Sequence, residues 1–162
     1  MARLDTSPAE VETIRALLAE TAPRLGALAA GAAPARLQRV PARKVWSPVE
    51  HLAHLRGCAD VWGYTLVAML AEDEPRLELM DPRRWAKAAR YAALPFAGSL
   101  AAFASQRAAL LNILNALPPE DWTRAADIGG RRHSVFSQAR RLALHEQEHC
   151  QQVHTYLQAP VA

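Results

Sequence analysis

Three times along the chain a capping side chain stands directly before a proline: Ser7-Pro8, Ser47-Pro48 and Asp81-Pro82. The cap offers an acceptor to the first free N–H groups of a helix. Proline at the first helical position loses no hydrogen bond and brings φ already set. This punctuation commits the following segments to helix. The strongest case is Ser47-Pro48-Val49-Glu50, a capping box in which Glu50 reaches back to the cap.

Read forward from these starts, helix one runs from Pro8 to about Ala30, with a possible interruption at Pro23. Proline and glycine then scatter as far as Pro41, which predicts a loop. Helix two runs from Pro48 to about Glu72. From Glu72 to Pro95 a long polar connection holds a short helix opened by Asp81-Pro82 and carrying Trp85. Helix three runs from Ser99 to about Leu117 and stops at Pro118-Pro119. A glycine-containing turn at Asp127 to Arg132 precedes helix four, Ser134 to about Gln158. Alanine, leucine and arginine dominate, and no valine–isoleucine–threonine run marks a strand. The predicted fold is all-α: one domain over residues 1–162, a four-helix bundle with a long connection between helices two and three.

Charge excludes more than it assigns. The net charge is +3, and the arginine pairs Arg83-Arg84, Arg131-Arg132 and Arg140-Arg141 are scattered rather than gathered in one stripe. No nucleic-acid partner is expected. No apolar run reaches membrane-spanning length, so no membrane partner is expected either. Cys58 and Cys150 are the only cysteines, and Met1 to Glu10 lacks a secretory pattern. Both are read as thiols in a reducing, cytoplasmic setting.

The chemistry concentrates in Leu144-His145-Glu146-Gln147-Glu148-His149. Histidines four apart share one helix face, so their imidazoles can converge on a single ion. At about 100° per residue, Val135, Phe136, Ala139, Leu142, Ala143, Val153 and Leu157 form an apolar arc. His145, His149, Gln152 and Tyr156 line one flank of it. Arg140, Gln147, Glu148 and Gln151 point away. Two ligands do not make a tight site, and helix two offers a third in His51 or His54, three apart. Cys58, one turn after His54, is a possible soft ligand. His133 and His154 read as surface.

Glu146 falls near the centre of the apolar arc, where a carboxylate needs a partner: a metal, a ligand imidazole or an arginine. It is either a proton acceptor or orienter beside the metal, or exposed because the helix is rotated. His145-Glu146-x-x-His149 also matches the zinc-peptidase pattern. The third downstream ligand that pattern requires is missing, since His154 points about 140° away, and so is a preceding sheet.

Trp46-Ser47, then His54-Leu55, then His145-x-x-x-His149-x-x-Gln152, with Asp121-Trp122 after the third helix, resembles the DinB/YfiT-like superfamily of metalloenzymes over most of the chain. The resemblance implies that family's four-helix bundle, often homodimeric, and a nickel or zinc site held by His54, His145 and His149. It thereby favours His54 over His51, which replaces a usually apolar residue. It also implies activities ranging over thiol-dependent S-transferases, isomerases using low-molecular-weight thiols, and some hydrolases, acting on small-molecule substrates.

Three functions follow as expectations, against a fourth reading in which the histidines are structural and bind nothing tightly. The first is an S-transferase, its metal keeping an open position for a low-molecular-weight thiol, with Arg141 on the thiol's carboxylates and Gln152 bonded to ligand or substrate. The second is a hydrolase with Glu146 as general base. The third is a non-catalytic metal module whose coordination shell is filled, with Cys58 as the closing ligand. Each metal reading requires neutral imidazoles and places proton competition near pH 6.5, the ordinary histidine value, at roughly that pH.

Overall fold

The computed structural model describes residues 7–160. Helix α1 spans Pro8–Ala29, with the Ser7 side chain accepting from the Glu10 N–H, and it passes through Pro23 without a break. Gly31 follows in the left-handed region at φ 79° and turns the chain into a short helix that the sequence reading missed, α2, Pro34–Gln38. Arg36 reaches from α2 to the Leu157 and Ala159 carbonyls at 2.9 and 2.6 Å, tying this loop to the end of the last helix.

Helix α3, Pro48–Ala71, opens with the full capping box: Glu50 N–H donates to Ser47 Oγ at 3.2 Å, and Ser47 N–H to Glu50 Oε2 at 2.7 Å. Helix α4, Pro82–Ala88, is capped by Asp81 and lies in the long connection, as expected. It rests directly on α3 because of Gly57. A Cβ there would stand 2.5 Å from the Pro82 carbonyl oxygen and 3.0 Å from Ala86 Cβ. Asp60, one turn on, accepts from Trp85 Nε1 at 3.0 Å, from the Tyr91 hydroxyl at 2.6 Å, and from Gln106. One carboxylate thus fastens the connection to α3 and to the next helix.

That helix, α5, spans Phe96–Ala116 and begins three residues before the expected Ser99. Ser99 is buried, where its hydroxyl accepts from Arg56 rather than capping the helix. A 3-10 turn at Pro119–Thr123 then sinks Trp122 into the core. The expectation of no strand is corrected here. The glycine turn at Gly129-Gly130 joins two strands, β2 Ala125–Ile128 and β3 Arg131–Ser134, paired antiparallel from Ala125↔Ser134 to Ile128↔Arg131. Gly129 and Gly130 take φ of 57° and 82°, the two positive values that a tight hairpin requires. β1, Arg76–Leu77, adds in parallel to β2. The sheet is a small appendage on an otherwise helical molecule.

Helix α6, Val135–Gln158, starts at a second capping box formed by Ser134 and Ser137. The four long helices form a bundle in which α1 and α3 each pack against both α5 and α6. The pairs α1/α3 and α5/α6 therefore stand across its diagonals. Two apolar clusters fill it, one around Leu18, Leu66, Met69, Leu114 and Leu142, the other around Leu25, Leu52, Leu55, Phe103 and Val153. No helix among the described residues is long and apolar enough to cross a membrane.

Candidate metal centre

The α3–α6 contact brings four histidines together. His145 and His149 come one turn apart from α6, and His51 and His54 from α3. His54 Nε2 lies 2.9 Å from His145 Nε2, which lies 3.1 Å from His149 Nε2. Two nitrogens bound at about 2.0–2.1 Å to one ion stand about 3.0 Å apart at a right angle and about 3.4 Å at the tetrahedral angle. Each of these two separations fits a pair of nitrogens sharing one ion near a right angle, while the group of ligand atoms that all lie within 4.8 Å of one another is His54, Cys58 and His145, without His149. The donor set, three imidazole nitrogens, suits a divalent transition metal.

His51 has a different position. Its Nδ1 meets Nδ1 of His149 at 2.8 Å, on the side of that ring away from His145. Ligand imidazoles are commonly oriented by a partner on the second ring nitrogen, which fixes the tautomer. His51 is placed to be such a partner: with His149 Nε2 on an ion, the His149 Nδ1–H would donate to His51 Nδ1. Trp46 covers the cluster, stacked on His149 with ring planes 7° apart and edge-on to His51 and His54. Trp62 meets His145 edge-on at 5.2 Å. Cys58 Sγ lies 3.5 Å from His54 Nε2 on the core side, and burial pushes its thiol up to about 12.

Burial also lowers all four imidazoles. His51 and His54 fall to about 4, His149 to about 3, and His145 moves in the same direction. At His54 and His149 the neighbouring histidines and the Arg83 cation add to burial. The expectation that protons compete near 6.5 therefore shifts downward in the folded protein. The lowered values predict that the metal-free protein is acid-labile. A base whose folded pKa is lowered leaves the native state short of a proton that the unfolded chain takes up. Its contribution is complete above about pH 6.5 and is lost as pH falls toward 4. Glu146 acts in the opposite sense, but one carboxyl does not outweigh four imidazoles. Metal-stripped protein is expected to unfold at lower urea near pH 5 than at about pH 7.5. A midpoint that holds or rises on acidification would contradict the burial of these rings.

Glu146 is not exposed: it is 0 % accessible, and its partner is Arg107 of α5, itself 2 % accessible. Because α5 and α6 face each other across a diagonal, this ion pair crosses the bundle axis. Burial pushes the carboxyl up to about 7, with Arg107 acting against the rise. Of the partners open to it in the sequence, the arginine holds it.

His51, His145 and His149, but not His54, line a pocket of about 760 Å³ together with Lys44, Trp46, Arg83, Glu148, Gln152 and Tyr156. Gln152 stands there with its amide toward Glu148 at 3.3 Å. Arg141 does not line this pocket; its guanidinium lies over Trp62 at 4.5 Å. Sequence reasoning overlooked Glu148 and Arg83. Glu148 falls on the polar side of the helical wheel. The Asp81-Pro82 start alone fixes Arg83 one residue into α4, from where it leans over Trp46 at 5.3 Å.

A long-helix bundle that gathers four histidines beneath an open pocket defines a class, and the family follows. The model of the DinB superfamily matches residues 5–153, and the chain belongs to that superfamily. Among solved structures it resembles YfiT from Bacillus subtilis, described as "a probable metal-dependent hydrolase with an unusual four-helix bundle topology". The TM-score is 0.81 at 16% sequence identity, covering 96% of this chain and 90% of that one. No curated protein sequence matches the chain significantly.

Proposed function

We propose that this protein is a metal-dependent hydrolase of small molecules, with His54, His145 and His149 as the metal ligands. The observation that carries the reading is the approach of the His54 and His149 Nε2 atoms to His145 Nε2, at 2.9 and 3.1 Å, beside an open pocket that His145 and His149 line. A divalent ion held there acts as a Lewis acid and lowers the pKa of a coordinated nucleophile. His51 holds the His149 ring in register. Trp46 shields the imidazoles from solvent on one side.

Glu148 takes the place that Glu146 was expected to fill. It projects into the pocket three residues after His145 and can accept a proton from a nucleophile there, with Gln152 steadying it. Arg83 and Lys44 on the rim suit a substrate bearing negative charge. The fold likeness to YfiT agrees with hydrolysis. The S-transferase reading keeps one supporting observation, since the same rim cations suit the carboxylates of a low-molecular-weight thiol. It loses Arg141, which is engaged with Trp62 outside the pocket.

The test is a panel of carboxylic esters, amides and phosphoesters, assayed with zinc- and nickel-loaded protein in the presence and absence of added thiols. Hydrolysis without thiol, reduced at least about tenfold in Glu148→Gln and little changed in Glu146→Gln, is expected. Turnover of an electrophile only when thiol is present would overturn hydrolysis in favour of S-transfer.

A further inference from the structure

We propose that Cys58 is a fourth protein ligand to the ion held by His54, His145 and His149, entering from the core side as a thiolate. This rests on the metal reading above. Cys58 follows His54 by one helical turn on α3, so its side chain projects from the same face. A metal–sulfur bond of about 2.3 Å and a metal–nitrogen bond of about 2.0–2.1 Å place the two donor atoms about 3.5 Å apart at a tetrahedral angle. Sγ lies 3.5 Å from His54 Nε2. The donor atoms of His54, Cys58 and His145 all fall within 4.8 Å of one another. Cys58 is wholly buried and is not among the residues that line the pocket, which His51, His145 and His149 do reach.

The two faces of the site therefore differ. Sulfur closes the inner face, and a nucleophile from the pocket would reach the ion on the outer face as a fifth ligand. Coordination replaces the S–H bond with a metal–sulfur bond, and the proton leaves to solvent. The ligand set then carries one negative charge among three neutral imidazoles, and with the divalent ion the site is left with a single net positive charge. A thiolate is a soft donor and shifts preference toward zinc, cobalt or nickel and away from magnesium and manganese.

Cobalt(II) provides the test. The full chain, stripped of metal and titrated with one equivalent of cobalt(II), is expected to develop visible ligand-field bands together with an intense near-ultraviolet thiolate-to-cobalt charge-transfer band. In Cys58→Ala and Cys58→Ser the ligand-field bands remain and the charge-transfer band is lost. Because either substitution lies in the core, X-ray absorption on the zinc-loaded wild type serves as a second measurement that needs no variant, and a sulfur at about 2.3 Å is expected. Stoichiometric cobalt with ligand-field bands alone, or a zinc shell of nitrogen and oxygen only, overturns the proposal and leaves the three-histidine site standing. No cobalt uptake by the wild type overturns both.

Discussion

His145→Ala is expected to lose stoichiometric metal, whereas His51→Ala retains one ion per chain and binds it about 10- to 100-fold more weakly. The contrast follows from position. His145 Nε2 takes part in both short nitrogen–nitrogen contacts, to His54 and to His149. Removing it takes away the atom the other two share. His51 touches the cluster only through Nδ1 of His149. Its loss frees that ring to turn but deletes no donor. Metal content by mass spectrometry on tag-free protein, with zinc affinity by calorimetry, reads both variants. His54→Ala should behave like His145→Ala. If His51→Ala empties the site while His54→Ala keeps it filled, the two histidines of α3 exchange roles. If His145→Ala keeps a full complement of metal, the site is elsewhere.

Arg107→Met is expected to cost roughly 3–5 kcal/mol of stability near neutral pH, because it strands Glu146 without its counter-charge at the bundle axis. Adding Glu146→Leu to that variant should recover most of the loss, since a well-packed apolar pair in place of a buried ion pair is often neutral or stabilising. The single variant should also recover on acidification. Burial already raises the Glu146 carboxyl to about 7, and Arg107 is the cation opposing that rise. Without Arg107 the folded-state pKa climbs further. A raised carboxyl carries no penalty below its unfolded pKa and a growing one as pH rises above it. The wild type loses stability below pH 6.5 through its imidazoles, so the informative quantity is the gap between variant and wild type, which should narrow as pH falls. Urea midpoints of wild type, single and double variants across pH provide the measurement. A single variant within about 1 kcal/mol of wild type at pH 8 would mean that solvent reaches Glu146.

Much of this architecture was legible because the chain marks its helix starts with specific chemistry. Ser7-Pro8, Ser47-Pro48 and Asp81-Pro82 each begin the helix they announce. Helix α5 carries no such mark: it starts after Pro95 with no side-chain cap, and Ser99 imitated one from inside the helix. The hairpin was hidden for a related reason. Ala125-Ala126-Asp127-Ile128 is too short and too poor in branched residues to show a strand period, so only its two glycines were visible. At the site, helical spacing found His145 and His149, and the wheel placed Glu146 in the core. Spacing could not divide the work between His51 and His54, because that depends on how α3 crosses α6. Nor could it find Arg107, an unremarkable arginine in mid-helix that gains meaning only from the diagonal packing.

The close approach of α4 at Gly57 divides the site between two kinds of inheritance. The histidines sit on long helices whose faces the core dictates, so drift there is constrained from several sides. Arg83 sits on a seven-residue helix whose attachment needs little beyond a bare Cα at 57 and a carboxylate at 60. Substitutions along the exposed side of that helix are expected to alter the pocket lining while the four histidines stay in place. The lining that Arg83 contributes and the cluster on α3 and α6 are thus held by separate contacts, so one can vary without displacing the other.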